Sequence, residues 1–316
     1  MKRPNGGFYG RHFRESAPII PRNCDNPQPL AASAIREDAR AKINLALHVT
    51  GRPTDGYHEL DTLAAFSPLG DVVEATPAPD LSLTVTGPFA SDLGLSDDNL
   101  VIRAAGALRE AFSVAEGAHL RLEKNLPVAS GIGGGSADAA ATLRGLARLW
   151  KLVPHSPRIA EIAARLGADV PMCLASRPLH ASGIGEVLAP VASLPIAGVL
   201  LINPRVAVAT PAIFKALKSR ENPPLSDIPA FADARALAAW LSTTRNDLQQ
   251  PAIETAPVIA EVLSALEALP GTLLARMSGS GATCFALFER RNETETAAAL
   301  VSASHPDWWI RATTLG

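Results

Sequence analysis

Apolar and polar residues alternate from 39 to 49, where Ile43, Leu45, Leu47 and Val49 interleave with Lys42, Asn44, Ala46 and His48. A period of two predicts a strand with one buried face and sets Lys42 and Asn44 together on the other. Leu81, Leu83 and Val85 repeat the pattern, and 119–123 form a further short strand. Elsewhere the period lengthens. Leu100, Val101, Ala104, Ala105, Leu108 and Phe112 predict a helix opening after Asn99, and Ala139, Leu143, Leu146, Ala147 and Trp150 predict another, capped by Ser136. A helix over 157–166 ends at Gly167, and the apolar run 170–175 after Asp169 reads as a strand. The second half predicts strands at 198–203, 272–277 and 283–288. It also predicts helices opening near Pro211 and Pro257 and over 294–303. Strands and helices without a regular βαβ rhythm point to an α+β fold.

The 316 residues have room for two domains, and the boundaries expected are 1–36 as a disordered tail or extension, 37–178, and 179–316. The segment before 36 carries Lys2, Arg3, Arg11, Arg14 and Arg22 against Glu15 and Asp25. A plastid-type transit peptide ranks second there, because serine is sparse and no amphipathic helix stands out. A net charge of −2 gives no bulk reason for binding nucleic acid or membrane. Cys24, Cys173 and Cys284 are far apart, which argues against a zinc site or a disulfide framework and fits a reducing, cytoplasmic location.

Candidate chemistry concentrates between a predicted strand and a predicted helix, where four glycines fall within residues 131–135. Without Cβ atoms the backbone amides approach a ligand closely, and the helix start adds unpaired amides and a positive dipole end. The combination suits a di- or triphosphate. A P-loop would need Gly-Lys-Ser/Thr, but Gly135 is followed by Ser136-Ala137. A dinucleotide loop would need glycine at position 136 and an acidic residue about 20 positions later, and neither is present.

The run Pro127-Val128-Ala129-Ser130-Gly131-Ile132-Gly133-Gly134-Gly135-Ser136-Ala137 instead resembles the ATP loop of the GHMP kinases, a superfamily of small-molecule kinases that includes galactokinase and the homoserine and mevalonate kinases. The strand segment 41–45 and the late Ser278-Gly279-Ser280-Gly281 loop resemble the same superfamily, in the expected order. The segments 51–58, 167–171 and 210–214 are most similar to its branch acting on a cytidine diphosphate-linked methylerythritol. The resemblance implies an N-terminal domain like ribosomal protein S5 domain 2 and a ferredoxin-like C-terminal domain. It implies ATP as co-substrate with Mg²⁺, and transfer of the γ-phosphate to a 2-hydroxyl in the methylerythritol phosphate route to isoprenoid precursors. Another GHMP kinase, of homoserine or mevalonate type, and a non-catalytic nucleotide-binding regulator are the alternatives.

The same resemblance implies roles. Asp169 would be the general base and Lys42 its partner, steadying the substrate oxygen as charge develops. Asn44 and Thr210 would contact the substrate; Tyr57 and Phe214 would cover the cytosine faces, and His58 would bond its edge. Lys124 and Asn99 would lie near the adenine. Ser136 is a candidate metal ligand, and the ligand set stays open. Oligomeric state is not encoded in these motifs.

Overall fold

The computed structural model describes residues 34–51, 58–93, 99–154 and 156–315. It opens on two long strands, β1 (Ile35–Gly51) and β2 (Glu59–Ala78), paired antiparallel. Then follow β3 (Ser82–Thr86), α1 (Leu100–Ala111), β4 (Gly117–Glu123), α2 (Gly134–Leu149), α3 (Pro157–Leu166), α4 (Val170–Ala175), β5 (Leu179–Gly183) and β6 (Val187–Pro190). The remainder is β7 (Ala197–Asn203), α5 (Thr210–Ala216), α6 (Ala234–Ser242), α7 (Gln249–Thr255), α8 (Val258–Glu267), β8 (Leu274–Met277), β9 (Cys284–Phe288), α9 (Arg291–Ser304) and β10 (Trp309–Leu315).

Two sheets organise these elements into the α+β fold expected. The first runs β3-β4-β2-β5-β6, with β1 also on β2. β2 is long enough for β1 to run along one edge while β4 takes residues 72–78 and β5 residues 60–64 of the other. The strands at 179–190, beyond the boundary set at 178 from sequence, therefore continue the first sheet. The second sheet is antiparallel, in order β10-β7-β9-β8.

Helices α1 to α4 close one face of the first sheet, through Val101, Leu108, Leu143, Leu146, Ile162 and Met172 among others. Ile43, Leu45 and Leu63 of the first sheet pack with Val199, Leu201, Phe285 and Leu287 of the second in a shared apolar layer. Buried Arg276 spans this layer, donating to the carbonyls of Leu45, Leu241 and Thr244 and to the Thr244 hydroxyl at 2.8–2.9 Å. Burial pushes its guanidinium down to about 10.

The single buried face expected for β1 is a correction: residues 41–49 are buried on both faces, with Lys42, Asn44 and His48 only 2–3% exposed. Loops rather than water cover the polar face. Residues 170–175 are helical, because Pro171 suits a first helical turn and six apolar residues do not distinguish strand from helix. Among the described residues no helix is long and apolar enough to cross a membrane.

Candidate active site

The glycine loop is held by its carbonyl groups. Ser130 O accepts from Thr283 N at 3.1 Å, Gly131 O from the Ser278 hydroxyl at 3.0 Å, and Ile132 O from Lys42 N at 3.0 Å. In a trans peptide the N–H points opposite the preceding carbonyl, so the amides of Gly131, Ile132 and Gly133 face away from these partners. Gly131 has φ +74°, and a Cβ there would lie 2.5 Å from Ser278 O and 2.7 Å from Gly281 N. Only glycine lets the two small-residue loops touch. Gly133, at φ 67°, is the N-cap of α2, so Ser136 is not the cap expected from sequence but sits in the first turn. The first-turn amides have no intrahelical partner and join the loop in an anion-binding arc.

Beside this arc Lys42 Nζ lies 2.7 Å from Asp169 Oδ2. The two residues come from different elements, Lys42 from the centre of β1 and Asp169 from the N-cap position of α4. The Lys42 side chain is 4% exposed and that of Asp169 39%, so the carboxylate is the more open of the two, and both residues line one cavity. Arg144 of α2 ties the relevant elements together. It donates to Cys173 O on α4 at 3.0 Å, to Asp38 O on β1 at 2.8 Å and to the Glu37 carboxylate at 3.0 Å.

Asn44 follows on the same strand face. The Thr62 hydroxyl donates to Ala46 O at 2.6 Å, so toward Asn44 its oxygen can only accept. Asn44 Nδ2 must supply that bond, at 2.8 Å. This fixes the amide orientation and leaves Asn44 Oδ1 buried on the cavity wall without a hydrogen-bond partner. It is an acceptor waiting for a ligand donor.

Under the loop lies a buried charge cluster. Lys124 Nζ binds the carboxylates of Asp71 and Asp138, the latter at 2.8 Å, with all three side chains at most 4% exposed. Asp71 also accepts from Leu126 N at 2.8 Å. Burial pushes the Asp138 carboxyl up to about 8 despite the neighbouring ammonium. Burial alone would lower Lys124, but Asp138 and Asp71 outweigh it and raise it.

Lys42, Asn44, Thr62, Lys124, Asp169 and the glycine loop share a cavity of about 900 Å³. Its lining also includes Leu93, Leu100, Pro127 and Val128, and His58, Thr210 and Phe214. The His58 and Phe214 rings lie 4.8 Å apart at 31°. Thr210 shares a 2.7 Å hydrogen bond with Ser280, which couples α5 to the late loop.

The GHMP kinase N-terminal domain model matches residues 99–177, and the C-terminal model matches 203–307. A protein of Cereibacter sphaeroides named 4-diphosphocytidyl-2-C-methyl-D-erythritol kinase is 55% identical over 274 residues, covering 86% of this chain and 96% of its own length. The chain belongs to the 4-diphosphocytidyl-2-C-methyl-D-erythritol kinase family of the GHMP kinases. A relative of that name in Paracoccus denitrificans is 54% identical over 282 residues, covering 89% of this chain and 96% of its own. A solved structure of a 4-(cytidine 5'-diphospho)-2C-methyl-D-erythritol kinase matches with TM-score 0.72 at 35% identity, over 89% of this chain and 99% of that one. Homoserine kinase from Cytophaga hutchinsonii shares the fold at TM-score 0.63 and 18% identity, covering 89% and 95% of the two chains.

Most of the residues singled out in the sequence for this family reach one cavity: Lys42, Asn44, His58, Lys124, Pro127, Val128, Ala129, Ser130, Gly131, Gly133, Gly134, Gly135, Ser136, Asp169, Thr210 and Phe214. Three do not. Ile132 and Ala137 point into the apolar interior, and the Asn99 side chain caps α1 by accepting from Val101 N at 2.9 Å. Tyr57 lies outside the described residues. Lys124 lines the cavity, but its ammonium is committed to two carboxylates. The Asp138 carboxylate, beyond the first turn of α2, is turned to Lys124. Sequence reasoning missed Thr62, Asp71 and Arg144, whose partners are distant in the chain and carry no motif.

Cys173 lies against Lys42 and Asp169, yet burial pushes its thiol up to about 12. Cys284 is raised by burial as well. Neither forms appreciable thiolate at neutral pH. Treatment of the folded protein with iodoacetamide at pH 8 is expected to leave both unmodified, and peptide mass spectrometry after unfolding and digestion reads this directly. Rapid alkylation of Cys173 in the folded protein would contradict the burial described.

Proposed function

We infer that the protein transfers the γ-phosphate of ATP to the 2-hydroxyl of 4-diphosphocytidyl-2-C-methyl-D-erythritol, giving the 2-phosphate and ADP in the methylerythritol phosphate route to isoprenoid precursors. The observation that carries this reading is the Lys42–Asp169 contact of 2.7 Å beside the glycine loop, within a cavity that the His58–Phe214 ring pair also lines. A polyol placed at the carboxylate would leave its cytidine near the rings and would meet a triphosphate held by the loop.

Asp169 accepts the proton of the 2-hydroxyl as that oxygen bonds to the γ-phosphorus. The bond from the γ-phosphorus to the bridging oxygen breaks, and ADP leaves with that electron pair. Lys42 faces the same oxygen and offsets its developing charge. Asn44 Oδ1 accepts from a substrate hydroxyl and sets the polyol's orientation. Transfer is direct and in line, so positioning and fixed charge supply most of the rate.

Leu93, Leu100, Pro127 and Val128 form an apolar wall suited to the adenine. Among the described residues no cluster of three or more His, Cys, Asp or Glu side chains is arranged to hold a metal. Mg²⁺ is expected to arrive on ATP, bound chiefly by phosphate oxygens and water, with the Ser136 hydroxyl as the protein donor on that side, and to neutralise phosphate charge.

Phe214 is expected to bind the cytosine. Phe214→Ala should raise KM for the cytidyl substrate roughly tenfold and leave kcat within about threefold, the pattern of lost uniform binding. A fall in kcat with KM unchanged would remove Phe214 from the cytidine site. The reaction itself is tested by ³¹P NMR of the product formed from ATP. A new phosphomonoester resonance with both diphosphate resonances retained is expected. Release of inorganic phosphate without a new monoester would overturn phosphoryl transfer.

A further inference from the structure

Four lysine or arginine side chains line the cavity among the described residues: Lys42, Lys124, Lys215 and Arg220. Two are spent. Lys42 is paired with Asp169, and Lys124 with Asp71 and Asp138. Among the described residues, neither Lys215 nor Arg220 has a carboxylate within ion-pair distance.

Their placement is specific. Lys215 directly follows Phe214 on α5, and both line the cavity. Arg220 lies just beyond the C-terminal end of that helix, with Nη2 3.4 Å from Lys215 O. Arg220 Nε is buried without a hydrogen-bond partner. A guanidinium N–H removed from water and left unsatisfied costs about 1–3 kcal/mol, which a bound acceptor would relieve.

We propose that Lys215 and Arg220 form a clamp for the diphosphate that joins the cytidine to the polyol, separate from the glycine loop that takes the ATP phosphates. The proposal rests on the cytidine reading above. With the cytosine at His58 and Phe214 and the reacting hydroxyl at Asp169, the linking diphosphate spans the wall between them, past Thr210 at the start of α5. Loop amides already serve one polyphosphate, and a second anion in the same cavity needs its own counter-charges. Arg220 offers a planar fork to phosphate oxygens and Lys215 a mobile point charge.

The test compares two probes, CDP and cytidine, by isothermal titration. The wild-type protein is expected to bind CDP at least about tenfold more tightly than cytidine, as a diphosphate gripped by two cations requires. Lys215→Gln and Arg220→Gln should each narrow that ratio, the double variant should bring it within about twofold, and Arg220→Lys should retain part of it. Cytidine affinity and ATP affinity should stay within about twofold in every variant, which separates lost phosphate contacts from a misfolded site. A CDP-to-cytidine ratio that survives the double substitution overturns the clamp and leaves the cytidine reading standing. A wild-type protein that binds neither probe overturns both.

Discussion

Asp169→Asn is expected to lower kcat by a factor of about 10²–10⁴, the range that a positioned general base supplies. Asparagine keeps the shape of the side chain but cannot accept the hydroxyl proton, and it removes the counter-charge 2.7 Å from Lys42 Nζ. The glycine loop is untouched, because its anchors are Thr283 N, Ser278 Oγ and Lys42 N. ATP affinity should therefore stay within about threefold, and single-turnover quench experiments should place the defect in the chemical step. Near-normal turnover would remove Asp169 from the role of base. Weakened ATP binding together with a lowered Tm would instead indicate that the variant loses the fold of the site.

Lys124→Met carries the largest expected effect on stability. The substitution roughly conserves side-chain length but leaves the Asp71 and Asp138 carboxylates facing one another, both at most 4% exposed. Breaking a buried ion pair from one side typically costs about 3–5 kcal/mol, or about 5–8 °C in Tm for a chain of this size. The loss should depend on pH. Burial raises the Asp138 carboxyl from 3.8 to about 8 in the folded protein even with Lys124 beside it, and removing that ammonium pushes it higher still. Stability tied to such a group is complete below its ordinary value and is lost as pH rises through the folded value. Thermal melts of Lys124→Met should therefore fall furthest below wild type at and above pH 8, and less at pH 5. Asp138→Asn added to Lys124→Met should recover part of the loss. A Tm within about 2 °C of wild type at pH 8 would show that the cluster does not support α2 as described.

Local rules made part of this molecule legible. The period of two in β1, the 3.6-residue period of α1 and α2, and Pro157 with Gly167 at the ends of α3 each specify their own element. The loop's phosphate chemistry was equally readable, because four glycines before a helix have few other uses. Tertiary contacts hid the rest. Lys42 and Asn44 read as the solvated face of a strand, yet the glycine loop and the Ser278 loop cover that face. β2 escaped detection because Pro68 and Gly70 interrupt its pattern; a Cβ at Gly70 would meet Ala39 O at 2.3 Å, so glycine is needed where β1 crosses closely. Lys124 looked like an adenine-side lysine because Asp71 and Asp138, 53 and 14 residues away, are not foreseeable as partners. The Asn44 acceptor depends on a hydroxyl on β2 whose proton goes elsewhere, which no spacing rule encodes.

The pairing of Lys42 with Asp169 in one cavity with the His58–Phe214 rings proposed to hold the cytidine is tested most directly by steady-state kinetics. ADP release is measured with a coupled assay for the cytidyl methylerythritol substrate, homoserine and mevalonate under one set of conditions. The account predicts a kcat/KM for the cytidyl substrate at least about 10³-fold above the other two, since only it can fill both ends of the cavity and satisfy the buried polar groups there. Equal or faster turnover of homoserine or mevalonate, or no turnover of the cytidyl substrate, would contradict it.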